Sequence, residues 1–172
     1  YSMSYLWISD YPLIIPTVQQ LLHDILWIKR LILKYPSLSE TEFHINEWGI
    51  CSGYQFTRKD CENFKFRDSE FSALFFIKLI CSLWTMKDAY DICPDLMLYW
   101  GFAFEDYNNI LFNSERSLTT AGGLSKPILT AMEIFEKTGD ERLKISGTNN
   151  GGTTGIAATK GDGTIQIVMY HF

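Results

Sequence analysis

The stretch Glu42-Phe43-His44-Ile45-Asn46-Glu47-Trp48-Gly49 decides how the rest of the chain is read. Phe43 and Ile45 alternate with Glu42, His44 and Asn46, the period-two pattern of a strand with one face buried. Gly49, Ser52 and Gly53 break the alternation and open a loop. A glutamate therefore sits at the C-terminal tip of a strand. In α/β barrels that tip is where site residues are placed.

Working outward, the same texture recurs on both sides. Upstream, Tyr1-Ser2-Met3-Ser4-Tyr5-Leu6 reads as a strand, and one that starts at the first residue implies a portion of a longer protein. Pro12 and Pro16 keep the next stretch irregular. Thr17 is placed to cap a helix whose apolar positions are Val18, Leu21, Leu22, Ile25, Leu26, Ile28, Leu31 and Ile32. That helix ends near Lys34, because Tyr35 precedes Pro36. His23 on this helix reads as a surface residue.

Downstream, Ser52 to Arg67 is a long polar loop. Asp68 or Ser69 caps a second helix, apolar on most sides, that runs to about Trp84 and packs against a sheet. Leu96 to Phe102 is a near-continuous apolar run, as in parallel strands covered on both faces. The acids Glu105 and Asp106 fall in the loop after it. A third helix has Pro127 in its first turn and Gly139 beyond its end.

The order strand, helix, strand, helix, strand, helix predicts a parallel sheet. The texture then changes. Leu143 to Ser146, Gly155 to Lys160 and Thr164 to Phe172 read as antiparallel strands, with Gly161-Asp162-Gly163 as a hairpin turn. Asn149 to Thr154 follows a strand but precedes no helix, so it is not a phosphate loop.

Composition narrows the function classes. The 172 residues are 47% hydrophobic and 20% charged, with a net charge of -5. A net negative chain with scattered Lys and Arg is not built to bind nucleic acid directly. The four cysteines include no C-x-x-C pair and there are three histidines, so neither a zinc site nor any other metal or cofactor is expected. Cys81 lies in an apolar helix and reads as a reduced core thiol; disulfides among the others stay open. These features point to a cytoplasmic protein. Charges interrupt every apolar run well short of the ~18 residues a membrane span needs.

The ordered motifs Asn46-Glu47-Trp48, Tyr99-Trp100-Gly101-Phe102, Gly123-Leu124 and Lys126-Pro127 resemble those of glycoside hydrolase family 39, the β-xylosidase and α-iduronidase group. The resemblance runs from about Val18 to the C-terminus. It implies the C-terminal part of a (β/α)8 barrel, about strands six to eight, over residues 1–140, followed by antiparallel strands of a β-sandwich over 141–172.

It also implies a retaining β-glycosidase of β-xylosidase type, with Glu47 as nucleophile. Trp100, Tyr99, Glu105, Tyr5, His44 and Trp48 would be the carbohydrate-binding residues. Asn-Glu could instead mark the acid/base glutamate of strand four. A count of units decides this reading: one helix, one strand and one closing helix follow Glu47, so it falls on strand seven. The acid/base half of the site would then lie outside the chain, and hydrolysis is not expected of the chain alone. The rest of the barrel would come from the parent chain or from a second copy.

Departures from the family pattern favour a second expectation. Ala103 and Phe104 stand where relatives carry Ser-Asp, and Ser4 stands where a histidine is common. A non-catalytic carbohydrate-sensing module of an AraC-type bacterial regulator, which carries a similar domain behind its DNA-binding part, fits such an eroded site. For each residue there is also a plain alternative: a solvated strand-end glutamate for Glu47, core packing for Trp100 and His44.

Overall fold

The computed structural model describes residues 17–50, 62–101, 111–146 and 154–172. Two small sheets flank one long helix. The first is parallel and two-stranded, β1 (His44–Trp48) beside β2 (Leu96–Tyr99); the second is antiparallel, β3 (Glu141–Leu143), β4 (Thr154–Gly161) and β5 (Thr164–His171), in that order. Helix α1 (Val18–Ile32) precedes β1, α2 (Glu70–Tyr90) connects β1 to β2, and α3 (Pro127–Glu136) follows β2. Tyr1 to Leu6 lies outside the described residues.

α1 forms on the expected apolar stripe, but only Val18, Leu21 and Ile25 are fully buried, and Leu31 is exposed. Thr17 occupies the cap position in an extended conformation, yet its side chain makes no capping bond. At α2, Ser69 is the cap, its hydroxyl accepting from the Phe71 amide at 3.3 Å. This helix continues past Trp84 to Tyr90, because Thr85 to Ala89 contains no breaker. It stops where Asp91 turns left-handed at φ 55°.

The core lies between the parallel sheet and the helices. Phe43, Ile45, Trp48 and Ile50 pack with Val18, Leu21 and Ile25 of α1, Phe75, Phe76, Leu79 and Leu83 of α2, and Ile128 and Ala131 of α3. Trp48 stacks on Phe76 with ring centres 6.2 Å apart and meets Tyr99 edge-on at 5.1 Å. The Asp95 carboxylate accepts from the Phe43 amide at 2.7 Å at the start of the strand pair, and the Trp100 amide donates to the Trp48 carbonyl at 2.7 Å at its end.

The antiparallel sheet packs against the same helix. Phe172 lies 5.2 Å from the Phe71 ring, and the Lys78 ammonium sits 4.2 Å over Phe172. The β4–β5 turn has Asp162 at φ 49° and Gly163 at φ 77°, the signature of a type I′ hairpin. Gly139 does not cap α3, whose last cap residue is Lys137. It marks a crossing instead: a Cβ at Gly139 would lie 2.2 Å from the Lys160 carbonyl group, so only glycine lets the exit of α3 touch the hairpin.

Among the described residues no helix is long and apolar enough to cross a membrane.

Candidate functional site

Strand β1 contains an irregularity that decides where Glu47 points. His44 pairs with Leu96 and Ile45 with Met97, but Trp48 pairs with Tyr99, so β1 carries one residue more than β2 over the same span. Simple alternation from Ile45 would bury Glu47 and expose Trp48. The bulge shifts the phase. Trp48 turns into the core against α2, and its neighbour Glu47 turns to the opposite face with His44 and Asn46.

β2 alternates regularly. Met97 and Tyr99 pack on the core, and Leu96, Leu98 and Trp100 face the other way. The face of the parallel sheet turned away from the helices therefore presents Glu47, 34% exposed at its side chain, and Trp100, 37% exposed, at the C-terminal ends of adjacent strands. The Trp100–Gly101 peptide bond is cis.

Of the expected site residues, the structure puts Glu47, Trp100 and His44 on one face. His44 lies three residues before Glu47 on β1 and pairs with the exposed Glu42 at 2.9 Å. Trp48 and Tyr99 are not on that face; both pack in the core because the sheet covers α2 with them. Glu105 and Tyr5 lie outside the described residues.

A residue that sequence reading missed stands directly against Glu47. Arg116, in the loop after β2, donates from Nη2 to the Glu47 Oε1 at 3.0 Å. Its side chain is 4% exposed. The Gly101 amide donates to the Arg116 carbonyl at 3.1 Å, so the backbone of Arg116 is fastened beside the end of β2. From there its side chain runs past Gly49 to reach β1. A Cβ at Gly49 would come within 2.9 Å of Arg116 Cδ, so the glycine at this position is a seat for the arginine stem.

The loop carrying Arg116 is held by buried charge. Asp68 accepts from the Ser114 amide at 2.7 Å and from its hydroxyl at 3.1 Å. Lys126, 1% exposed, sits 2.8 Å from the other Asp68 oxygen and donates to the Glu115 carbonyl at 2.8 Å. Arg67 donates to the Ser114 carbonyl at 3.1 Å. A buried ammonium is costly unless paired. Burial lowers the Lys126 pKa, and the bond to Asp68 and its charge work against that fall. Burial pushes the Tyr99 hydroxyl up to about 12, although Arg67 and Arg116 pull it down.

No signal along the chain marked Arg116 or Lys126 as buried, since each looks like an ordinary loop charge. The bulge was detectable in principle. A polar Glu in the phase of Phe43 and Ile45, followed by a Trp in the opposite phase, indicates a shift between them.

Chemically, this arrangement offers a half-buried carboxylate with one oxygen held by a guanidinium, beside an exposed indole. A carboxylate hydrogen-bonds hydroxyl groups or attacks an electrophilic carbon. An indole face packs on apolar ring surfaces. Among the described residues no group of three or more His, Cys, Asp or Glu side chains gathers as a metal site. No protein-family model matches the chain, and no curated protein matches it.

Proposed function

We propose that this chain carries the nucleophile half of a retaining β-glycosidase site of the family 39 type, acting on xylose-like sugars. Glu47 is the carboxylate that attacks the anomeric carbon, and Trp100 is the platform on which the sugar ring packs. The observation that supports the reading is their placement: Glu47 lies near the end of β1 and Trp100 just past the end of the adjacent parallel β2, on the face of the sheet that none of the described helices covers. His44 lines the lower part of the same face.

In this reading β1 and β2 are strands seven and eight of a (β/α)8 barrel. Leu96, Leu98 and Trp100 would then face its interior. The remaining strands, with the acid/base carboxyl about 5–5.5 Å from Glu47, come from further parent chain or from a second copy. The setting is the reducing cytoplasm, in keeping with the free thiols of Cys81 and Cys93.

One observation favours a second reading. Ala103 and Phe104 stand where the family carries Ser-Asp, which suits a carboxylate that binds sugar hydroxyls without reacting. The domain would then be a carbohydrate sensor of the AraC-type regulators.

The test is turnover of a panel of aryl β-glycosides, xyloside first, by the chain and by the full-length parent, each beside its Glu47→Gln variant, with sugar binding followed by calorimetry. Turnover by the parent that disappears in the variant supports the glycosidase. Sugar binding without turnover, weakened in the variant, supports the sensor. Neither turnover nor binding overturns both.

A further inference from the structure

We propose that Arg116 is the positioning residue of Glu47: its guanidinium fixes Oε1 and leaves Oε2 as the attacking oxygen. This rests on the glycosidase reading above. Three independent features support it. The first is geometric. The Nη2–Oε1 bond is 3.0 Å, and no described residue hydrogen-bonds Oε2. A glutamate has three side-chain torsions, and one fixed oxygen removes most of that freedom.

The second is the absence of slack in the arginine. Surface ion pairs contribute little because both side chains wander. Arg116 is buried, its stem is seated on Gly49, and its carbonyl is tied to the Gly101 amide.

The third is the latch beneath it. Ser114 and Glu115, the two residues before Arg116, are each fixed by buried charged groups: Ser114 by Asp68 and Arg67, the Glu115 carbonyl by Lys126. Burying these charges is unfavourable unless each is paired. An arrangement so dedicated to one short stretch holds Arg116, whose side chain reaches the Glu47 carboxylate. Misplacing a reacting group by about 1 Å can cost ~100-fold in rate.

The experiment uses 2,4-dinitrophenyl 2-deoxy-2-fluoro-β-xyloside, which traps a glycosidase nucleophile without help from an acid. Oε2 forms a bond to the anomeric carbon. The bond from that carbon to the phenol oxygen breaks, and dinitrophenolate leaves with the electron pair. Labelling is followed by intact mass, located by peptide mapping, and resolved into a maximal rate and a half-saturating concentration. The full-length parent is compared in its wild-type, Arg116→Gln and Arg116→Lys forms.

The expected result is an ester on Glu47 in wild type. In Arg116→Gln the maximal rate falls about 100-fold with the half-saturating concentration nearly unchanged, and Arg116→Lys restores a good part of it. A merely structural arginine would not show that split or that rescue. Labelling of Arg116→Gln at the wild-type rate overturns the role of Arg116 and leaves the glycosidase reading standing. No labelling of wild type overturns the glycosidase reading, and this proposal with it. Should Arg116→Gln fail to fold by circular dichroism, Arg116→Lys decides: a folded lysine variant within about tenfold of wild type supports the proposal, and one slowed 100-fold or more overturns it.

Discussion

Lys126 and Asp68 show most directly how single residues hold this site. A lysine that is 1% exposed would normally be excluded from a core; here it pairs with Asp68 at 2.8 Å and donates to the Glu115 carbonyl. Removing one partner leaves the other as an uncompensated buried charge, which costs about 3–5 kcal/mol. Lys126→Met is therefore expected to lower the unfolding free energy by about that much, read from urea midpoints. The Lys126→Met, Asp68→Asn double variant is expected to lose less than the sum of the two single changes, which a double-mutant cycle measures directly. Additive losses would show that the two groups are not coupled. Gly49→Ala tests the neighbouring contact. Its new methyl meets the Arg116 stem, and overpacking of this kind costs roughly 1–3 kcal/mol.

At the scale of elements, the two long helices start by different means. Ser69 caps α2 through its hydroxyl, so Ser69→Ala is expected to destabilise by about 1 kcal/mol. Thr17 stands at the same place on α1 without making that bond, so Thr17→Ala is expected to stay within about 0.5 kcal/mol of wild type. Thermal or urea unfolding of the two variants checks both numbers, and a large loss at Thr17 would show that its hydroxyl does cap α1 in solution.

This contrast marks what could be read from residues in order. Local chemistry was legible: Ser69 before an apolar helix, Pro127 at a first turn, Gly161-Asp162-Gly163 between alternating strands. So was the succession β1, α2, β2, which a parallel pair with a helical connection satisfies. Features that depend on distant partners were not legible. Arg116 meets a carboxylate sixty-nine positions away, and Gly139 is required by Lys160 of a hairpin rather than by its own helix. The exposure of Glu47 depends on a bulge whose sign along the chain is slight: a Glu in the phase of Phe43 and Ile45, followed by a Trp out of phase.

Over the whole molecule, the buried titratable groups predict how stability responds to alkali. Burial pushes the Cys81 thiol up to about 11 from 9.0, and the Tyr99 hydroxyl up to about 12 from 10.0. Each group keeps its proton longer in the folded state than in the unfolded one. The stability each contributes is therefore fully present below its unfolded value and is lost as pH rises through the folded value. For Cys81 that window runs from about pH 9 to 11, and for Tyr99 from about pH 10 to 12. Lys126 has the opposite sign. Its pKa is lowered, so its contribution improves as pH climbs from that lowered value to 10.5.

The falling terms extend beyond the rising one, so urea midpoints are expected to decline most steeply between about pH 10 and 12. A shift of about two units corresponds to about 2–3 kcal/mol per group. Tyr99→Phe removes a group that must ionise and should flatten the decline over its window by about that amount, whatever its cost at neutral pH. A curve for Tyr99→Phe parallel to wild type from pH 10 to 12 would mean that the Tyr99 hydroxyl is not buried in solution. The packing of Tyr99 against Trp48 would then have to loosen, and with it the bulge that turns Glu47 toward the open face of the sheet.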